Sequence, residues 1–421
     1  MQKMNQNIGV IVDGYSTGGQ LASALKSLGY RVLNIMSTGS IIVEEISSSL
    51  NNENFFDTWF YDGDLDSLVA RLAELRPQFV ATGFESGVPL AETLADRLAL
   101  PSNDSNKPGY RSNKARMGEG LRDSGVPCAE QIIVSSLSNM TREAVDAIGY
   151  PVVVKPTESA GSDSVFIAHT YEGALGHIKT ILGKKNRIGR NNTEILVQEF
   201  IQGQQYIVNS VSLDGEHFIT EIWKDIRTQT INGQVLYDHE HLVDLKDPVS
   251  QQLTDYLKAC LDALGVRHGP IHAEVILTMK GPLLVEVGAR CQGGILGETV
   301  CKAIGFSHVT LTAALHSDPN SFIEIVRKIS YNPCIMVVSL NSFRSGVVKK
   351  TNYQELLQKL PSFSAIMSMP SVGEYVPKTR DLFTSLGAIY LVHDDFNILN
   401  SDLATIRSLE KSNSFLQLSE S

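Results

Sequence analysis

Cysteine is scarce in this chain: five residues among 421, namely Cys128, Cys260, Cys291, Cys301 and Cys334. They are odd in number and scattered, with no CxxC pair. That pattern fits reduced thiols and excludes a disulfide framework or a cysteine-ligated zinc site. Long apolar runs are absent too. No stretch reaches membrane-spanning length, and the apolar stretch that follows Asn7 is too short for the core of a signal peptide. Basic charge is in deficit. Lys and Arg number 36 against 46 Asp and Glu, so 36 − 46 = −10, which argues against a general nucleic-acid binder. The histidines show no HExxH spacing, and neither a Gly-x-Ser-x-Gly elbow nor a Walker-A sequence occurs. What remains is 43% hydrophobic and 19% charged, an ordinary globular composition. A cytoplasmic location with no membrane partner is the expectation.

The first hundred residues alternate strand and helix patterns. Ile8–Asp13 reads as a buried strand, Gln20–Leu28 as a helix and Arg31–Met36 as the next strand. The pattern continues with a helix at Leu65–Leu75, a strand at Gln78–Thr82 and a helix at Pro89–Leu98. Such alternation implies a parallel sheet with helices on its faces. Gly14, Gly18 and Gly19 are not spaced as Gly-x-Gly-x-x-Gly, and no acidic residue closes the second strand, so nicotinamide binding is not expected. A turn-rich stretch from Pro101 to Tyr110 marks a boundary. The last hundred residues read as a small α+β unit, with strands at Cys334–Leu340 and Ala388–His393.

The segment Ile271–Arg290 carries the most information. It places Glu274 and Glu286 in two apolar, β-rich runs and follows them with Arg290. Met279-Lys280-Gly281 suits a three-residue hairpin loop with Gly281 in the left-handed conformation. If Thr278 pairs with Pro282, Glu274 faces Glu286 directly; a two-residue turn would offset the pair diagonally. Facing carboxylates repel unless a cation lies between them, and hard divalent cations take oxygen ligands. Two carboxylates on a solvated hairpin face are the plain alternative.

Lys155 closes the strand Pro151–Lys155, where a lysine projecting into a cleft would pair with phosphate. The small-residue loop Glu158–Ser162, with Ser159, Gly161 and Ser162, would let backbone N–H groups approach phosphate oxygens. An ordinary turn after a snorkelling lysine accounts for the same residues. Lys114 starts a helix. Gln198 and Glu199 interrupt an apolar strand that ends at Phe200 and Ile201, as a strand reading a base edge would. The loops Ser159–Ser164 and Gly183–Asn192 are candidate lids, since glycine and small polar residues permit hinge motion.

Lys114, then Val-Val-Val-Lys155-Pro with its loop, then Val-Gln-Glu199-Phe-Ile, then Glu274, then Glu286-Val-Gly-Ala-Arg290, resembles in that order the ATP-grasp superfamily, over roughly residues 1–315. The resemblance implies a mixed α/β and α+β fold, in which a Rossmann-like domain at 1–110 precedes a small lobe at 111–202 and a large lobe at 203–317. The C-terminal α+β unit would span 318–421. The Gly-Ala-Arg form resembles the L-amino-acid ligases, dipeptide-forming enzymes of bacilysin-, tabtoxin- and dapdiamide-type antibiotic pathways. It implies a carboxylate substrate and an amine substrate joined through an acyl phosphate, with release of ADP. Carboxylases, purine-pathway enzymes and non-catalytic ATP sensors are the competing readings. The resemblance assigns ATP phosphates to Lys114 and Lys155, with Ser159, Gly161 and Ser162 in the loop beside them. It assigns adenosine to Gln198, Glu199, Phe200, Ile201 and Gln205. Magnesium falls to Glu274 and Glu286 (two ions sharing Glu286, with manganese as an alternative). Arg290, with Lys155, would stabilise the reacting oxyanions. Trp223, His272, Gly293 and Gly294 are candidate substrate neighbours, and a homodimer is a family expectation. Relatives often carry asparagine two residues after the second metal glutamate; Gly288 stands there instead.

Overall fold

A computed structural model describes residues 7–37, 49–159, 161, 163–229, 235–332, 334–380 and 384–419. Near the N-terminus, β1 (Ile8–Val12), β2 (Arg31–Met36), β3 (Asp57–Phe60) and β4 (Val80–Thr82) form a sheet in the order β3-β2-β1-β4. Every pairing in it is parallel, as the alternation of strand and helix requires. Helices α1 (Thr17–Ser27), α2 (Leu65–Leu75) and α3 (Val88–Arg97) cover it. Gly18 is there for packing: a Cβ on it would lie 2.5 Å from Gly83 Cα, so α1 and the loop after β4 touch backbone to backbone.

After α4 (Lys114–Asp123), a second sheet is antiparallel in the order β5-β8-β6-β7. It comprises β5 (Gln131–Val134), β6 (Val152–Pro156), β7 (Phe166–Ala168) and β8 (Ile195–Glu199), with α5 (Arg142–Ile148) and α6 (Tyr171–Ile181) packed on it. Val152, Val154, Ile195 and Val197 lie in its core with Ala174 and Ile178 of α6. Strand alternation then puts Val153 and Lys155 on the opposite face.

The third sheet has eight strands, in the order β13-β12-β9-β10-β11-β14-β18-β16. Its first part is built from β9 (Gln204–Leu213), β10 (Glu216–Gln229), β11 (Val235–Leu242), β12 (Gly269–Thr278) and β13 (Gly281–Gly288). One face packs on α7 (Pro248–Ala263): Tyr206, Val208, Ile222, Ile271, Ala273 and Val275 share a core with Leu253, Leu257 and Leu261. The opposite face therefore carries Gln205, Ile207, Asn209, Glu221, Trp223, Asp225, His272 and Glu274. Met117 and Leu121 of α4 join the same core, which fixes Lys114 at the base of this sheet. Helices α8 (Gly297–Ile304), α9 (His308–Ser317) and α10 (Pro319–Val326) follow.

The C-terminal residues form an α+β unit with a core of its own, including Val338, Val348, Leu357, Ile389, Leu399 and Ile406, and its sheet continues the third one. Strand β14 (Ile335–Leu340) pairs with the edge of β11, and the sheet continues through β18 to β16. The remaining elements are β15 (Gly346–Thr351), α11 (Tyr353–Leu357), β16 (Phe363–Ser368), β17 (Tyr375–Val376), β18 (Gly387–Val392), α12 (Phe396–Lys411) and β19 (Leu416–Leu418). Pairing removes the open β11 edge, a liability in any sheet. No helix among the described residues is long and apolar enough to cross a membrane.

Candidate active site

Glu274 and Glu286 are partners on adjacent strands, but by a different route from the expected loop. Thr278 pairs with Gly281 around the two-residue turn Met279–Lys280, and Val275 pairs with Leu284. That register alone would set Val285 opposite Glu274. A bulge takes up one residue of β13 at this point, and Glu286 moves opposite Glu274.

Lys114 Nζ lies 2.8 Å from Glu286 Oε2 and donates at 2.8 Å to the carbonyl of Ser159. Asn113 caps α4 by accepting from the Ala115 and Arg116 amides, so the lysine leaves the helix at its first residue. Gln205 Nε2 donates to Glu274 Oε2 at 2.7 Å. The amide of Gln205, expected near the nucleotide, thus engages the glutamate pair. Burial and the repulsion of Glu286 push the Glu274 carboxyl up. Burial acts the same way on Glu286, but Lys114, Lys155 and Arg290 overcome it and hold that carboxyl low. Lys155 is 5% exposed. Burial, then the adjacent Lys114, lower its ammonium to about 8.

Two carboxylates with unequal proton affinity, ringed by lysines and an arginine, suit a hard cation with phosphate. Among the described residues no group of three or more His, Cys, Asp or Glu is arranged to hold a metal ion. A pair of carboxylates is what magnesium uses when water and phosphate complete its shell, so the residues present fit it.

A family model described as the ATP-grasp domain matches residues 148–299. Dapdiamide A synthase of Enterobacter agglomerans is 31% identical over 410 residues, covering 96% of each chain. The chain belongs to the ATP-grasp ligases. An L-arginine-specific L-amino acid ligase of Bacillus subtilis is 24% identical over 306 residues, 71% of each chain. The crystal structure of an L-amino acid ligase from Bacillus licheniformis superposes with a TM-score of 0.76 at 17% identity, covering 100% of both chains.

In this ATP-grasp enzyme Arg290 is held by a residue that the sequence reading missed. Arg290 Nε donates to Glu85 Oε2 at 2.7 Å, and its Nη1 donates to the carbonyl of Cys291 at 2.9 Å. Glu85 follows β4 of the N-terminal sheet. A Cβ at Gly288 would come within 2.7 Å of the Glu85 carboxylate, so the glycine makes room for Glu85. The usable signal was position: ligands of parallel α/β sheets gather at the carboxyl ends of the strands.

The remaining expected residues divide. Ser159 is buried and its carbonyl serves Lys114; Gly161 has a left-handed φ of 67°; Ser162 lies outside the described residues. Gln198 is buried and donates to Gln131, and Glu199 Oε2 accepts from the Glu130 amide at 3.2 Å. Phe200 and Ile201 are half-buried where β8 leads to β9. His272 Nδ1 is 3.2 Å from Asn209 Oδ1, and its Nε2 is 4.0 Å from Glu274. Trp223 is fully buried, and its indole N–H donates to Glu221 at 3.0 Å, so it backs the cleft instead of lining it. Gly293 and Gly294 are exposed, on a loop clamped at its far end. There Gln20 of α1 donates to the Ile295 carbonyl at 2.6 Å and accepts from the Gly297 amide at 2.8 Å. The hydroxyl of Tyr390 in β18 accepts from the Leu296 amide at 2.8 Å.

The candidate lid at Gly183–Asn192 is tied down. Arg190 pairs with Glu158 and donates to the Ser86 carbonyl at 2.9 Å, which joins this loop to the residue after Glu85. Asn186 donates to the Glu158 carbonyl at 2.6 Å.

Proposed function

We propose that this ATP-grasp ligase forms an amide bond between the carboxylate of one amino acid, including acylated or nonproteinogenic ones, and the amine of an L-amino acid, in peptide-antibiotic biosynthesis. The observation that carries this reading is the facing Glu274/Glu286 pair, with Lys114, Lys155 and Arg290 converging on it, in a chain alike end to end with dapdiamide A synthase.

In this reading the donor carboxylate takes the terminal phosphoryl group of ATP, giving an acyl phosphate and ADP. The acceptor amine then attacks the acyl carbon, and phosphate leaves. Such transfers depend on positioning and charge more than on covalent help. Lys114 and Lys155 place ammonium groups where phosphate oxygens gain charge, and Arg290 serves the acyl phosphate and the tetrahedral oxyanion. Glu274 and Glu286 would hold two magnesium ions, which supply electrostatic neutralisation of the phosphates when bound. The Gly183–Asn192 loop would cover the acyl phosphate from water through its Arg190 anchor on Ser86; the other candidate lid, Ser159–Ser164, includes residues outside the described ones. We assign the units as 1–110, 111–202, 203–317 and 318–421.

The test is ADP and phosphate release with ATP and magnesium, using single L-amino acids, pairs, and side-chain-acylated diamino acids. Release that requires two substrates, with the condensed mass in the products, is expected. Glu286→Ala should lower ADP formation by at least about 100-fold while the folded state persists. Near-wild-type turnover in that variant would remove the metal assignment.

A further inference from the structure

A second pair of carboxylates faces across the same sheet. Asp225 of β10 and Glu240 of β11 are register partners, on the face that carries Glu274 and Gln205. Like charges in direct opposition destabilise a sheet, so the pair requires a counterpart. The first pair has Lys114, Lys155 and Arg290 around it. Among the described residues, the cation in contact with this pair is Arg227, and both of its contacts fall on one oxygen: Nε and Nη2 each lie 2.8 Å from Asp225 Oδ2. Asp225 is 3% exposed, and its Oδ1 has no hydrogen-bond partner among the described residues. A buried, unpaired carboxylate oxygen is costly, and a native site retains one where a ligand supplies the donor. Glu240 accepts one bond, from Gln292 Nε2 at 3.2 Å. Two carboxylates and one guanidinium leave a single negative charge.

We propose that Asp225 and Glu240 bind the α-ammonium group of the donor amino acid, the substrate whose carboxylate is activated. This rests on the ligase reading above. The chemistry selects the donor over the acceptor. An acceptor amine must give up its proton to attack, and two carboxylates around it would hold the proton in place. The donor's own amine, by contrast, must not react, and keeping it as an ammonium ion suppresses self-condensation. Glu240 is pushed up by burial, then by Asp225, in the free protein, which is how a site short of one positive charge behaves. An ammonium ion brings three donors, enough for Asp225 Oδ1 and Glu240.

The experiment compares each amino-acid donor with its α-hydroxy-acid counterpart, for instance L-alanine with L-lactate, across standard and side-chain-acylated donors at saturating ATP and acceptor. Wild-type enzyme should favour the amino form by about 100-fold or more in kcat/KM. In Asp225→Asn, and separately in Glu240→Gln, that ratio should fall to within about fivefold, with the loss on the amino side. Because the ratio is internal to each variant, a reduced folded fraction cancels. Variants that keep the wild-type ratio, a wild type that accepts both forms equally, or variants altered only in magnesium dependence would overturn the proposal and leave the ligase reading standing. A wild type that releases no ADP with any pair would bring down both.

Discussion

Lys155 gives up its proton more readily than an exposed lysine, because burial and then Lys114 act against its charge. The sign of the consequence follows directly. Below about pH 8 the free enzyme presents an ammonium to phosphate; above it, the group turns neutral and phosphate loses a partner. The expected profile is a kcat/KM for ATP that falls above about pH 8, approaching tenfold per pH unit. Bound phosphate favours the charged form, so the limb in kcat should lie higher. Lys155→Arg should remove the limb at lower efficiency, since guanidinium does not titrate there. A flat profile for wild-type enzyme to pH 9.5 would show that Lys155 does not meet phosphate. The place of Lys155 at the end of a buried strand was legible in the sequence, because it closes a run of valines. Glu85 was not, because nothing in Gly83-Phe84-Glu85-Ser86-Gly87 tells that a residue two hundred positions later, Arg290, will receive it.

At the scale of elements, the site is held by backbone devices. The β13 bulge, not the turn, brings Glu286 opposite Glu274. Sequence pattern suggested the partnership but not its cause, since bulges leave little trace in residue type. The loop from Cys291 to Gly297 depends on two distant side chains, Gln20 and Tyr390. Tyr390→Phe removes only the hydroxyl that accepts from the Leu296 amide, which leaves that amide unpaired at a cost of about 1–3 kcal/mol. We expect a rise in substrate KM larger than the change in KM for ATP, together with a lower Tm. Unchanged kinetics with an unchanged melt would mean the loop holds without this contact. The glycines at 293 and 294 stand out in the sequence as candidate substrate neighbours; the clamp beside them does not, because its two halves come from opposite ends of the chain.

At the scale of the whole molecule, the eight-stranded sheet runs without a break from the ligase strands into the C-terminal unit, and this is where sequence reading fell furthest short. Strand patterns at Cys334–Leu340 and Ala388–His393 were visible, yet local periodicity cannot say which strand edge they join. In the fold, β14 pairs with β11, the strand that carries Glu240. Trp223, Ile207 and Leu242 from the ligase sheet share a buried core with Ile335, Val337 and Tyr390. Removing everything after Ile329 would therefore open the β11 edge and uncover a large apolar surface, the combination that drives aggregation. The expected result is a chain that expresses poorly or self-associates on size exclusion, has no cooperative melt and does not bind ATP. A soluble monomer that melts cooperatively near the full-length Tm would instead make the C-terminal residues an accessory. The two outcomes separate cleanly because Tyr390 and Trp223 lie in the same core, so loss of one wall removes the backing of the Asp225 and Glu240 strands as well.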